Sequence, residues 1–346
     1  MSSSQNTDNL AGIIPRTSSG CQTPSWQEAI ATAFHSPEEL IDYLQLDRSL
    51  LPAAIKAASR FGLRVPRSYA AQIEQGNPQD PLLLQVLPLN SELTDQPGFS
   101  TNPVGDLTAI ASPGLLHKYH GRALLITTGA CAINCRYCFR RHFPYQDSAM
   151  HHNHLAAALE YLSRDLSIKE VILSGGEPLM LTDARLAELI QALEAIPHLI
   201  RLRIHTRMPV VLPQRITAGL LNILNNTRFQ TTVVIHCNHP NELYPEAHLA
   251  LQQLHGNDAT LLNQSVLLKG INDDLETQIK LCEALFSSGV LPYYLHMLDH
   301  IQGAAHFDVS QEEAVALHQG LLSKLPGYLV PRLVREISGS PAKTTV

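Results

Sequence analysis

The sequence predicts an α/β protein: six parallel strands alternating with helices, preceded by a helical region and followed by a short C-terminal extension. Three observations predict it. From residue 122 onward, short apolar runs rich in β-branched residues alternate with segments whose apolar residues recur at three and four. That alternation is the pattern of βαβ units and a parallel sheet. Before residue 76 only helical patterns occur, and residues 76–115 between the two regions are rich in Pro, Gly and Asp. Six such units suit either a doubly wound sheet or a barrel-like sheet, and in both the active residues gather at the C-terminal strand ends.

Taken in order, residues 1–20 are rich in Ser, Thr and Asn and read as a disordered leader. Residues 21–115 form a helical region and an ordered connector. Its helical segments are SWQEAIATAF, PEELIDYLQL and SLLPAAIKAASRFG; PEELI places Pro at a helix start and acids in the first turn. Residues 116–310 carry the alternating units. Strands are expected at 123–128, 170–174, 199–205, 231–236, 261–268 and 292–298. Helices are expected at 151–164, 183–195, 214–224, 246–254 and 275–287. Residues 311–346 form a C-terminal segment.

The bulk numbers exclude several classes. A chain of 346 residues that is 45% apolar can bury one large core. A net charge of −6 lacks the basic face of a nucleic-acid protein. No stretch approaches the ~18 apolar residues of a membrane span, and the polar start has no basic-then-apolar signal pattern. The expected address is the cytoplasm, where cysteines are free, metal-bound or catalytic rather than paired.

Three of the six cysteines fall within CAINCRYCFRR, at Cys131, Cys135 and Cys138. Several readings compete. A zinc site calls for a partner pair, and no second cysteine pair follows. A redox CxxC drawn from Cys135 and Cys138 leaves Cys131 without a purpose. Cys21, Cys237 and Cys282 are isolated; Cys237 and Cys282 lie in apolar segments and read as small buried hydrophobes. The second strand ends in VILSGGEPL, with Ser174, Gly175, Gly176 and Glu177. Two glycines let backbone approach a ligand, and a carboxylate beside them can pair with an ammonium group. An ordinary turn would read the same.

A CxxxCxxC loop at the end of a first strand, with GGE one unit later, resembles the radical S-adenosylmethionine enzymes. The resemblance implies a [4Fe–4S] cluster on Cys131, Cys135 and Cys138 with one iron open to S-adenosylmethionine. It also implies a partial (β/α)6 TIM-like barrel, with Ser174, Gly175, Gly176 and Glu177 at the methionine part of that cofactor. Longer segments narrow the likeness: PGLLHKYHGRALLITTGACAINCRYCFRRHFPY, RLRIHTRMPVVLPQRI, NHPNEL, LLNQSVLLKGIND and PYYLHMLDHIQGAAHF. These resemble the lysine 2,3-aminomutase family, from about residue 25 to the C-terminus. Within it they are most similar to the branch making (R)-β-lysine for modification of elongation factor P.

The family resemblance implies conversion of L-α-lysine to (R)-β-lysine by 2,3-amino migration, with pyridoxal 5′-phosphate as a further cofactor. Lys343, in ISGSPAKT, matches the Schiff-base lysine. Arg140 matches the clamp for the substrate carboxylate, and Asp299 and Glu336 match the acids for the ε-ammonium. Lys118 and Arg122 match two cations for the cofactor phosphate. His236 and Gln264 are expected at S-adenosylmethionine, with Arg207 and Asn238 as further candidates. Implied partners are an electron donor such as flavodoxin or ferredoxin, a lysyl ligase and elongation factor P, and a second copy in a homodimer; no nucleic acid or membrane is expected. Two other readings stand beside this one. An aminomutase for glutamate or arginine would not want acids at Asp299 and Glu336. A non-enzymatic iron–sulfur or zinc module has no use for Arg140, the GGE loop and Lys343 together.

Overall fold

The computed structural model describes residues 25–145 and 152–346, so the expected leader and Cys21 lie outside the described residues. Four short helices open the fold: α1 (Trp26–Ala31), α2 (Pro37–Tyr43), α3 (Leu51–Ala58) and α4 (Arg67–Ala70). Local sequence explains their starts. Ser25 and Glu28 form a reciprocal capping box on α1, and Ser36 caps α2 ahead of Pro37.

Ten strands then form one sheet in chain order, from β1 (Ile110–Ser112) and β2 (Leu115–Tyr119) to β3 (Arg122–Thr128), β4 (Glu170–Gly175), β5 (Arg201–Thr206), β6 (Gln230–Ile235), β7 (Thr260–Val266), β8 (Leu291–His296), β9 (Arg332–Arg335) and β10 (Thr344–Thr345). Pairing is parallel from β3 through β9 and antiparallel at both edges. The sheet curls without closing, since β1 and β10 are its ends. The strand–helix alternation predicts this α/β sheet, and the family resemblance implies its partial-barrel form.

The six expected strands appear as β3 to β8, each within two residues of the expected ends. The crossover helices are α5 (His152–Arg164), α6 (Asp183–Glu194), α8 (Ala218–Asn225), α9 (Pro245–His255) and α10 (Leu275–Ser287), with the short α7 (Met208–Val211) after β5 and α11 (Gln311–Lys324) after β8. The expected helix over 214–224 begins later, because Pro213–Arg215 form a tight turn and Thr217 supplies the cap. Two features escaped the sequence pattern. The hairpin β1–β2 sits within and just beyond the presumed connector. A seventh parallel strand, β9, has four residues, too few for a periodicity to register.

Burial along the strands explains the cavity. Every residue of β4 is buried, as a central parallel strand covered on both faces requires. On β5 the pattern alternates: Leu202 and Ile204 are buried, while Arg203 and His205 line the barrel interior. Crossover helices cover the outside; α6 seals it with Leu186, Leu189, Ile190 and Leu193. One apolar cluster runs from Phe34, Tyr69 and Leu82 into Leu125, Leu173 and Met208, so the N-terminal helices and the sheet share a core. Among the described residues no helix is long and apolar enough to cross a membrane.

Candidate active site

A cavity of about 550 Å³ occupies the barrel interior. Its lining brings together Cys131, Cys135, Cys138, Arg140, Ser174, Gly175, Gly176 and Glu177, from two loops. It also includes Lys118, Arg122, His236, Gln264, Asp299, Glu336 and Lys343, which are far apart in sequence.

The cysteine loop follows β3 and is pinned from outside. Arg64 donates to the Cys131 carbonyl at 2.8 Å, and the Arg136 amide donates to the Gln85 carbonyl at 3.0 Å. The Arg136 side chain pairs with buried Glu92 and donates to the Leu84 carbonyl at 2.8 Å. Burial pushes the Cys131 thiol well above its usual range and Cys138 up to about 11, and the neighbouring sulfurs reinforce both shifts. A site that resists thiolates in isolation fits one that receives them with a cationic metal group, which displaces the protons. Arg207 donates to the Cys135 sulfur at 2.8 Å, while its other nitrogen reaches Glu242 at 2.7 Å and Gln85 at 2.6 Å. Arg207 therefore lies beneath the cysteine loop, tied into a buried network.

The SGGE turn is fastened to this loop by backbone. Gly176 N–H donates to the Thr128 carbonyl at 2.7 Å, and Glu177 N–H to the Ala130 carbonyl at 2.8 Å. Gly175 has φ +116°, and a Cβ on Gly176 would collide with the Ala130 carbonyl, so both positions require glycine. Burial raises the Glu177 carboxyl, although three hydrogen bonds oppose the shift. They come from the Thr206 hydroxyl at 2.7 Å and the backbone amides of Leu179 and Arg207 at 3.0 and 2.8 Å. Of the roughly four lone-pair places on a carboxylate, the protein takes three, leaving one toward the cavity.

His236 bonds the Tyr137 hydroxyl at 3.1 Å, and burial lowers it to about 3, so it stays neutral. Gln264 lines the cavity from β7. Asn238 is fully buried and bonds Gln85, Tyr137 and the Val266 amide; it braces the wall from behind.

A chain of charges runs along the cavity from the cysteine loop to the C-terminal strand. Lys343 Nζ donates to Glu336 Oε2 at 2.8 Å, and Lys118 Nζ donates to Oε1 at 2.9 Å. Lys118 also meets Asp106 Oδ1 at 2.6 Å, whose Oδ2 accepts from Arg140 Nε at 2.6 Å. Arg140 donates in turn to Ser174 Oγ at 3.2 Å. Glu336 is driven down to about 2: burial opposes its charge, but Lys343 and Lys118 outweigh it. Asp299 is raised to about 7 by burial and by Glu336, and no side-chain hydrogen bond holds it among the described residues. Lys118 therefore has acid partners on both sides where an open phosphate cation was expected. Arg122 has no ion pair among the described residues and packs over Tyr119, 4.7 Å from the ring centroid.

Lys343 owes its place to β10. Thr344 pairs with Arg335, so the residues flanking that register, Lys343 and Glu336, face each other. Sequence reasoning missed Asp106, which no motif marks; Tyr145, whose hydroxyl donates to the Gly175 carbonyl at 2.8 Å; and His205, His296 and Tyr294 on the inner strand faces.

Residues 125–276 match the radical SAM superfamily. The chain is 48% identical to the L-lysine 2,3-aminomutase of Haemophilus influenzae over 332 residues, 96% of this chain and 98% of that protein. The chain belongs to the L-lysine 2,3-aminomutase family. The Escherichia coli L-lysine 2,3-aminomutase is likewise 48% identical, over 93% of this chain and 95% of that protein. The Clostridium subterminale protein of the same name is 33% identical over 93% of this chain and 77% of that protein. As a radical SAM enzyme of this aminomutase family, an isomerase, the protein is expected to use a [4Fe–4S] cluster and S-adenosylmethionine, and the three-thiol loop fits that donor set.

Proposed function

We propose that the protein converts L-lysine to (R)-β-lysine by moving the amino group from C2 to C3. The observation that carries this reading is one cavity holding the three-cysteine loop together with Arg140, Asp299, Glu336 and Lys343. In the proposal, Cys131, Cys135 and Cys138 hold the cluster; Ser174, Gly175, Gly176, Glu177, His236 and Gln264 hold S-adenosylmethionine; and Lys343, with Lys118 and Arg122 toward the phosphate, holds pyridoxal phosphate. When bound, these groups supply a carbon radical and an electron sink for the migrating nitrogen.

The protein's own residues bind and orient. Arg140 spends Nε and one Nη1 hydrogen on Asp106 and Ser174. Three of the five guanidinium N–H donors stay open, enough for a bidentate carboxylate. Asp299, whose side chain has no hydrogen bond among the described residues, suits the ε-ammonium. Glu336 can join it once Lys343 gives up its ammonium charge to the covalent link. An aromatic and aliphatic surround, including Tyr294 and Leu298, excludes water from the reacting carbons.

Glutamate is the weaker substrate reading, since Asp299 and Glu336 both face the cavity and would repel a second carboxylate. Similarity to one family branch supports delivery of the β-lysine, through a separate ligase, to elongation factor P. A flavodoxin or ferredoxin would supply the electron, and the cytoplasm is the proposed address; a homodimer belongs to the same reading. The test is an anaerobic assay with L-lysine, S-adenosylmethionine, pyridoxal phosphate and dithionite, reading product by mass and chirality. (R)-β-Lysine from the wild type is expected. Its absence, or a preference for glutamate or arginine, overturns the reading.

A further inference from the structure

Asp106 is the centre of the charge chain that crosses the cavity wall. Its side chain is 3% exposed, and each oxygen faces a different cation: Oδ2 takes Arg140 Nε and Oδ1 meets Lys118 Nζ, both at 2.6 Å. The surrounding backbone is shaped to hold it there. Gly105 adopts φ +67°, and a Cβ at that position would collide with Ser338 in the turn leading to Lys343. The Val104 carbonyl accepts from Lys118 at 2.7 Å, and the Gly105 carbonyl accepts from Thr108 at 2.9 Å. The segment is thus clamped between the cation of β2 and the C-terminal turn.

A carboxylate can meet a guanidinium side-on, through Nε and one Nη, or end-on, through both Nη groups. Asp106 occupies Nε and Ser174 takes one hydrogen of Nη1, so a ligand is left Nη2 and the second Nη1 hydrogen, and with Nε taken it cannot bind side-on. Asp106 also separates like from unlike. Glu336 lies close enough to Arg140 to influence its charge. Without Asp106, Arg140 would be drawn toward Glu336, one of the acids needed for an ammonium group. The chain runs Arg140, Asp106, Lys118, Glu336, Lys343, three cations alternating with two anions, and it keeps the carboxylate clamp at one end and the ammonium acid near the other.

We propose that Asp106 is a positioning residue: it fixes Arg140 end-on to the substrate α-carboxylate and keeps it from Glu336. This rests on the reading that Arg140 receives that carboxylate.

The test compares L-lysine with cadaverine, which keeps both amino groups and lacks the carboxylate. Both are titrated into protein loaded with pyridoxal phosphate, without S-adenosylmethionine or reductant, and binding is followed by cofactor absorbance. In Asp106→Asn the lysine affinity should fall at least tenfold and the cadaverine affinity less than threefold. Asp106→Glu, which restores the charge one methylene out of place, should recover part of the lysine preference. In an Arg140→Met background the Asp106→Asn change should no longer alter the preference. A purely structural role would weaken both amines alike. An unchanged lysine-to-cadaverine ratio in Asp106→Asn, or a ratio change that persists with Arg140→Met, overturns the inference. Should Asp106→Asn fail to fold, Asp106→Glu decides, since a displaced carboxylate must still reduce the ratio. A wild type that binds pyridoxal phosphate but ignores L-lysine overturns the functional reading and this inference together; a wild type that responds, with variants that do not differ, overturns the inference alone.

Discussion

The two walls of the cavity are built by different means. On the β3–β4 side, the cysteine loop and SGGE turn are zipped together by main chain, with Gly176 and Glu177 amides bonded to the Thr128 and Ala130 carbonyls. The other wall starts from that same loop: Arg140, Asp106, Lys118, Glu336 and Lys343 are held by ion pairs between side chains from distant parts of the chain. Backbone bonds fix geometry whatever the ligand or pH. Ion pairs can be exchanged: an arriving carboxylate, phosphate or ammonium replaces one charged partner by another. The difference suits a wall that must hold a cluster and a wall that must accept and release an amino acid.

Variants can break this contrast, and the largest effect belongs to Lys343. Lys343→Ala removes the covalent anchor, and turnover should drop to background, with loss of the absorbance of bound pyridoxal phosphate. Retained activity would assign the anchor elsewhere.

Next is the main-chain wall. Gly176→Ala forces a methyl against the Ala130 carbonyl. Overpacking of this kind costs about 1–3 kcal/mol, and the two loops must part to relieve it. Thermal melting should fall, and iron bound per chain after anaerobic reconstitution should fall with it. Full iron content would show that the wall can flex.

Arg215 supports the same wall from behind. It is fully buried and donates to the Leu179 and Leu181 carbonyls at 2.7 and 3.0 Å, so it holds the turn after Glu177. Arg215→Met orphans those carbonyls, at a cost of about 1–3 kcal/mol in urea unfolding. A change within 0.5 kcal/mol, the ordinary surface range, would place its role elsewhere.

The charged wall should instead respond to pH. Asp299 sits at about 7 in the ligand-free protein, raised by burial. An ammonium group binds the ionised form, so lysine binding must expel a proton below that pH. Affinity for lysine should therefore hold above pH 7 and weaken as pH falls through it, approaching about tenfold per pH unit. Asp299→Asn should weaken lysine by about 1.5–3 kcal/mol, the range for hydrogen bonds to charged groups, and flatten this dependence. An unchanged pH profile would remove Asp299 from the ammonium site.

Much of the first wall was legible before any coordinates. CxxxCxxC and SGGE are local patterns, and each sits at the end of a strand whose β-branched apolar run is itself readable. The charged wall was legible only through family resemblance. Asp106 stands in a Pro- and Gly-rich segment where an acid has many ordinary uses. Lys118 was expected to be open to phosphate, and nothing in its neighbourhood in sequence indicates two acid partners from positions 106 and 336. The strand that delivers Glu336 has four residues and the one that delivers Lys343 has two, below the length at which alternation can be recognised.

By itself, the amino-acid sequence determined the order of β3 to β8 and of the crossover helices between them, and the three-thiol loop, because each depends on residues within one or two turns of chain. The pairing of charges was decided by tertiary structure. Coulomb attraction acts through space and takes no account of sequence separation, so which acid meets Arg140, and that a lysine beside the C-terminus faces Glu336, followed only once the sheet had brought those residues to one cavity.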